Sequence, residues 1–342
     1  MNQTIGFGIL GCGMIASYHA EAISHISGAR LVGAFDASPA TCESFCGPRG
    51  IQPFSSAESL FQSPEIQAVC ICLPSGLHKA YALHAAARGK HFILEKPMAL
   101  NCEDCDEIIS ACDTFKVKGA VISQLRCSEA VSQMRRAVEQ GWLGRVVTGD
   151  IYMKYHRDKS YYTSSPWKGT RKMDGGGALM NQGIHGVDVL QYIMGPVRRV
   201  SALSKTLVHS IETEDTLSAL LEYENGALGV IQATTSVYPG FGRKIEICGS
   251  EGSITACEDA IVSCAFSRPD VPLKQTEGGP LLDAGSRPDS IDCSGHVTQL
   301  ADFVDCIRTG RTPLVDVREG KKPVALICSI YESARLGKPV SL

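Results

Sequence analysis

Ile5-Gly6-Phe7-Gly8-Ile9-Leu10-Gly11-Cys12-Gly13-Met14-Ile15-Ala16 decides the fold of this chain. The first six residues are an apolar run, short enough to be a strand buried on both faces of a parallel sheet. The next six fit G-x-G-x-x-A and open a helical segment through Tyr18, Ala22 and Ile23. In such a turn Gly11 tightens the chain and Gly13 lets the backbone approach a pyrophosphate. Met14 and Ile15 begin the helix whose N-terminus faces the phosphates, and Ala16 lets helix and strand pack closely. A second apolar run, Leu31–Phe35, ends at Asp36, about 20 residues past the glycines as the dinucleotide fingerprint requires. A carboxylate there accepts hydrogen bonds from the adenosine ribose and repels a 2′-phosphate, which favours NAD over NADP.

Downstream the same grammar repeats. Ala68–Leu73 reads as a strand stopped by Pro74-Ser75-Gly76, and a helix follows through Tyr81, Leu83, His84 and Ala87. His91–Leu94 reads as the next strand and runs into Glu95-Lys96-Pro97. A helix over Cys102–Phe115 leads to a strand at Gly119–Ser123. Alternation of this kind implies a parallel sheet covered by helices, with ligands at the carboxyl ends of its strands. After about Ser128 the pattern changes. A helix at Val131–Gln140 is followed by alternating stretches at Arg145–Tyr155, Val200–Val208, Asp215–Ser236 and Arg243–Cys248. The third is broken by the hairpin turn Glu224-Asn225-Gly226. The expected architecture is α/β, with a dinucleotide-binding domain over residues 1–124 and a mostly antiparallel sheet domain over residues 125–342. Gly278–Ser294 reads as a loop, and helices near His296–Arg308 and Glu319–Arg335 close the chain.

Bulk properties set limits. The 342 residues carry a net charge of −3, with 44% hydrophobic and 20% charged residues, which gives no basic field for nucleic acid or anionic membrane. No apolar stretch approaches the ~20 residues of a membrane span, and no leader is apparent, so the expected location is cytoplasmic. Fifteen cysteines in such a chain read as small buried hydrophobes. Cys102-Glu103-Asp104-Cys105 reads as a helix start behind Asn101, and no metal site is expected.

Two clusters carry chemistry. Lys96 ends a strand where the crevice of the sheet opens, so it either stabilises a developing alkoxide or is a surface lysine. Asp174-Gly175-Gly176-Gly177-Ala178 leads into a helical pattern over Ala178–Met194, with Asn181 and His185 at i, i+4 and Asp188 a turn further on. A histidine suits proton transfer near neutral pH. Asn181 can orient a hydroxyl, and Asp188 either orients His185 or packs against the backbone. The side-chain-free glycine run leaves room for a ligand.

The chain resembles the Gfo/Idh/MocA family of nicotinamide-dependent oxidoreductases nearly end to end. The resemblance rests on Gly11-x-Gly13-x-x-Ala16, Cys72-Leu73-Pro74-Ser75-x-x-His78, Gly89-Lys90-His91-x-x-x-Glu95-Lys96-Pro97, and the glycine run with Asn181-x-x-x-His185-x-x-Asp188. It implies a Rossmann domain, a second α/β domain with a large open sheet, and a homodimer or homotetramer built on that sheet. It also implies that Lys96 bridges substrate hydroxyl and cofactor ribose, and that His185 is the general acid/base. Pro74 and His78 would shape the nicotinamide side of the cleft, and Glu95 would help hold the cofactor and Lys96. Inositol-dehydrogenase-like members often carry aspartate where this chain has Asn181, which weakens an inositol assignment. Arg126 falls where relatives place an arginine that either pairs structurally or meets substrate. Tyr155, Trp167 and Arg171 are further candidate sugar contacts, against a loop that packs its own aromatics.

The implied activity is hydride transfer between NAD and a secondary hydroxyl of a sugar, sugar derivative or cyclic polyol. One alternative is a glycosidase that oxidises its substrate transiently and retains NAD. The other is a dinucleotide-sensing regulator.

Overall fold

In the computed structural model, which describes residues 4–276 and 293–342, the buried run Ile5–Leu10 is strand β1, shielded at every position. It is followed by α1 (Met14–Ser24), β2 (Ala29–Phe35), α2 (Pro39–Cys46), β3 (Gln52–Pro53) and α3 (Ala57–Gln62). Then come β4 (Ala68–Ile71), α4 (His78–Ala87), β5 (His91–Leu94), α5 (Cys102–Phe115) and β6 (Gly119–Val121). The six strands form one parallel sheet in the order β3-β2-β1-β4-β5-β6. Strand order reverses between β1 and β4, the place where ligand crevices form in such sheets. Asn101 caps α5 by accepting the Asp104 N–H at 2.8 Å, so Cys102 and Cys105 do lie at a helix start.

The next elements are α6 (Glu129–Glu139), β7 (Val146–Lys154), α7 (Lys159–Thr163), a π-helical turn (Ala178–Gly183) and α8 (Ile184–Met194). Strands β8 (Val197–Lys205), β9 (Thr216–Tyr223), β10 (Leu228–Thr234), β11 (Lys244–Gly249), β12 (Gly252–Cys257) and β13 (Ala260–Phe266) follow. The chain closes with α9 (Ser294–Thr309), α10 (Val317–Leu336) and β14 (Val340–Ser341). The second sheet runs β13-β12-β11-β7-β10-β9-β8-β14. Every pairing in it is antiparallel except β7 with β10. Alternate residues of β7, β9 and β10, such as Ile151, Met153, Leu217, Leu221 and Ile231, are buried. Gly186 of α8 leaves no room for a Cβ beside Met153, which marks a close approach of that helix to the sheet.

Three details differ from the sequence reading. The chain divides into the compact units Met1–Gln124 with Asp292–Lys321, and Leu125–Ile291 with Lys322–Leu342. Helix α9 thus belongs with the parallel sheet rather than with the second domain, because Leu300, Phe303 and Val304 are buried in one cluster with Ala20 and Ile23 of α1. The helical pattern over Ala178–Met194 starts as a π-helical turn, so Asn181 and His185 lie on successive helical segments of different pitch. Strands β3, β12, β13 and β14 are additional to the expected set. The expected loop Gly278–Ser294 lies outside the described residues up to residue 292.

Candidate active site

The glycine turn after β1 is built to receive an anion. Gly11 adopts φ +87°, a left-handed conformation that glycine takes without strain. A Cβ on Gly13 would meet nothing within 4 Å, so the backbone faces open space at the start of α1. No side chain caps that helix, which leaves its first N–H groups and the positive end of its dipole to a ligand. Met14 is 57% exposed at this helix start, and Ile15 is half-buried. Asp36 is anchored from two sides. Its Oδ2 accepts the Cys12 N–H at 2.9 Å and its Oδ1 accepts the Ser38 N–H at 2.8 Å. These residues fit a dinucleotide: the N–H groups from Gly13 to Ile15 would hold its pyrophosphate and Asp36 its adenosine ribose.

At the end of β5 the Glu95-Lys96-Pro97 turn, whose Lys96–Pro97 peptide is cis, is held at both flanks. Glu95 is buried; its Oε1 lies 2.8 Å from His19 Nε2 and 3.8 Å from His296 Nε2. Its Oε2 accepts the Lys96 N–H at 3.2 Å. Burial alone raises this carboxyl's pKa, but the His19 hydrogen bond and the proximity of both imidazoles outweigh it and hold Glu95 well below the ordinary carboxylate range. On the other flank His78 is fully buried, with Nδ1 2.7 Å from the Pro97 carbonyl and Nε2 2.8 Å from the Leu73 carbonyl. Burial lowers its pKa against the pull of those carbonyls. Pro74, next to Leu73, begins the short turn into α4. Lys96 itself is half-buried.

In the second unit the glycine run serves a different end from the one its sequence suggests. A Cβ on Gly176 would collide with the Tyr331 hydroxyl, and one on Gly177 with the Glu214 carbonyl. At these two positions the absent side chains make room for protein, not for a ligand. The Glu214 carboxylate accepts the N–H groups of Gly177 and Leu179 at 3.0 and 2.8 Å and the Tyr331 hydroxyl at 2.8 Å. Tyr331 in turn accepts the Met180 N–H at 3.1 Å. Burial raises the Glu214 pKa, and the hydrogen bonds only partly offset it. Asn181 donates its amide to Asp174, which also accepts the Gly169 N–H at 2.8 Å. Gln182 donates to the Tyr161 hydroxyl at 2.6 Å and accepts from Arg157 at 2.8 Å. Through this framework the π-helical turn delivers a half-buried His185 in the first turn of α8.

Arg126 and Asp188 form a bidentate pair at 2.8 and 2.6 Å, with side chains 2% and 4% exposed. Both oxygens of Asp188 accept from Arg126. Arg126 also lies 4.6 Å from the Tyr192 ring centre. Of the two readings of Arg126, the structural pairing is the one that engages its Nε and Nη2. Burial pushes the Tyr155 phenol up to about 12, and its ring lies 5.7 Å from the Arg157 guanidinium. Trp167 is half-buried and its carbonyl accepts the Thr170 hydroxyl at 2.7 Å. Arg171 is exposed, with its backbone N–H on the Glu212 carboxylate at 2.9 Å and its Nε on the Glu212 carbonyl at 3.2 Å.

Sequence reasoning missed His19, His296, Glu214 and Tyr331. His19 left a signal, a polar residue three past Ala16 on a helix face that must be buried. The others left none, since their partners lie far along the chain.

A parallel sheet of this strand order with an uncapped helix at its glycine turn defines a dinucleotide-binding fold. Family comparison gives the particular group. Residues 5–122 match the oxidoreductase family with NAD-binding Rossmann fold, and residues 131–255 match the GFO/IDH/MocA C-terminal domain. The WlbA dehydrogenase of Bordetella pertussis, solved with NADH and UDP-GlcNAcA, is 33% identical at a TM-score of 0.91. The match covers 100% of this chain and 99% of that one. Its Chromobacterium violaceum counterpart, also solved with NADH and UDP-GlcNAcA, is 31% identical at 0.89, covering 100% and 97%. Myo-inositol 2-dehydrogenase of Thermotoga maritima is 27% identical over 98% of each chain. The chain belongs to the Gfo/Idh/MocA family. It is an NAD-binding oxidoreductase whose relatives are sugar and inositol dehydrogenases.

Proposed function

We propose that this protein dehydrogenates a secondary hydroxyl of a nucleotide-linked sugar acid, with NAD as oxidant. The observation that carries the reading is the full-length identity to two dehydrogenases solved with UDP-GlcNAcA. Local charge supports it. Between Lys154 and Lys172 the chain places six Lys or Arg residues against one acid, Asp158, although its net charge is −3. Such a segment suits a diphosphate and a uronate carboxylate, and would be superfluous for a neutral polyol. Arg171 and Trp167 lie within it, and Tyr161 carries the Lys168 ammonium 4.0 Å from its ring centre.

Bound NAD supplies the hydride acceptor. His185 takes the hydroxyl proton, and the Lys96 ammonium stabilises the oxygen as it gains charge. Asn181, fixed by Asp174, orients the hydroxyl, and Tyr155 and Arg171 contact the substrate. The Leu203, Leu220 and Leu228 side chains share the outer face of β8, β9 and β10 and are 70, 63 and 60% exposed. They support a homodimer or homotetramer joined through that face, which sedimentation of the purified protein tests. The protein acts in the cytoplasm, without nucleic-acid or membrane partners. Among the described residues no helix is long and apolar enough to cross a membrane.

The deciding experiment follows nicotinamide absorbance with NAD or NADP against UDP-GlcNAcA, free sugars, inositols and glycosides. NADH formed with the nucleotide uronate is the expected result. Reduction with free sugars or inositols alone overturns the substrate class. Glycoside cleavage without net NADH overturns the reaction.

A further inference from the structure

Beneath the Lys96 turn lies a cluster that no motif announces. His19 and His296 are both fully buried, one from α1 and one from the first turn of α9, and their rings meet edge to face at 5.5 Å. Tyr18 lies against His296 at 6.2 Å. Among the described residues, His19 Nδ1 and both nitrogens of His296 have no hydrogen-bond partner. A buried imidazole left in that state is costly. What faces it is the Glu95 carboxylate, with His296 Nε2 3.8 Å from the oxygen that also contacts His19.

We propose that His296 is a positioning residue for Lys96, acting through the Glu95 carboxylate. The His19 imidazole in hydrogen-bond contact at 2.8 Å and the His296 imidazole facing the same oxygen at 3.8 Å flank Glu95 and leave its second oxygen for the Lys96 N–H at 3.2 Å. His78 holds the neighbouring Pro97 carbonyl at 2.7 Å. Lys96 is thereby bracketed by fixed residues on both sides, and a displacement of about 1 Å at such a group costs on the order of a hundredfold in rate. The inference rests on the reading of Lys96 as the group that stabilises the developing charge.

The same three side chains are the only candidate metal-ligating cluster among the described residues. An ion with tetrahedral bonds of about 2.0–2.1 Å spreads its ligands to about 3.3 Å. His19 and Glu95 at 2.8 Å are instead in hydrogen-bond contact. The charged and titratable groups around the carboxylate are His19, His296, His78 and Lys96, with the Cys70 and Cys72 thiols of the adjoining strand and its end.

The test compares His296→Ala, His296→Gln and Lys96→Ala in the full chain, with thermal melting as the folding control. His296→Ala is expected to lower kcat by about ten- to a hundredfold, with KM for the sugar and Kd for NAD within about threefold of wild type. The acid limb of its kcat profile should move to higher pH, because Glu95 has lost a partner. Glutamine, whose amide presents an N–H to Glu95, should restore most of the rate. Wild-type kcat in His296→Ala while Lys96→Ala is inactive overturns the proposal alone. Wild-type kcat in Lys96→Ala overturns it together with the role of Lys96. A loss that glutamine does not restore, with an unmoved acid limb, assigns His296 to packing and overturns the proposal. Stoichiometric zinc in the wild-type protein that is absent from His296→Ala does the same. Should the alanine variant not fold, 15N-histidine NMR of the wild type decides. A proton of His296 on Nε2, the nitrogen that faces the carboxylate, agrees, and an Nδ1–H tautomer overturns the proposal.

Discussion

Glu95 and Glu214 are both buried carboxylates beneath a candidate functional segment, yet their ionisation is driven in opposite directions. Imidazoles surround Glu95 and depress its pKa, whereas Glu214 has backbone N–H groups and a phenol, and burial raises it. The contrast separates two ways of fixing a side chain. The Lys96 turn is clamped by charge, in a network that favours an anion. The start of the π-helical turn before His185 is tied by neutral dipoles, which satisfy hydrogen bonds but leave the buried charge unfavourable.

Four measurements break or sharpen this comparison. The largest effect is expected where both frameworks end. Lys96→Ala and His185→Ala should each lower kcat by roughly two to four powers of ten with NAD affinity retained. Near-normal steady-state rates in both would remove these residues from the chemistry. Next, Asp188→Ala strands the buried Arg126 guanidinium and should cost about 3–5 kcal/mol of stability in urea unfolding. A change below about 1 kcal/mol would mean that this pair is not the anchor of its unit. Tyr331→Phe leaves the Met180 N–H without its hydroxyl partner and removes one of the two donors to Glu214 Oε1, at about 1–3 kcal/mol. The same substitution should leave the Glu95 side untouched, so an altered kcat acid limb would contradict the separation of the two frameworks.

The smallest effect is one of sign. Glu95, with its pKa depressed, contributes stability that is present above the ordinary carboxylate value of 4.5 and is lost as pH falls through its folded value. Glu214, with its pKa raised, contributes stability that is present below 4.5 and is lost as pH rises through its folded value. Relative to wild type, Glu95→Gln should flatten the stability profile on the acid side of 4.5, and Glu214→Gln on the neutral side. Equal slopes in the two variants, measured by denaturant midpoint against pH, would erase the contrast.

How far the sequence could be read follows the same division. Buried parallel strands appear as unbroken apolar runs, so β1, the glycine turn, Asp36 and the Lys96 turn are visible in order. Helix α5 begins and ends at the expected Cys102 and Phe115 because Asn101 is a strong local cap. Contacts between distant residues have no such signature. Glu214 and Tyr331 lie 117 positions apart, and nothing in the neighbourhood of either points to the other. The glycine run was legible as a place needing space, but not for what needed it. Nor does amino-acid spacing separate a π-helical turn from an α-helix when both bury the same residues. Arg126 and Asp188 were both visible as polar residues of interest, but their mutual pairing was not.

All fifteen cysteines are free thiols, and burial pushes Cys112 up to about 12 and Cys306 up to about 11. Both lie in the first unit, while Cys257, also raised by burial, lies in the second. A thiol held protonated and covered is nearly inert to alkylating reagents, and regains ordinary reactivity only when its surroundings open. The chain therefore carries its own stopwatch in each half. The pace at which these sulfurs take up a label at neutral pH counts how often each half comes apart, with no reporter added.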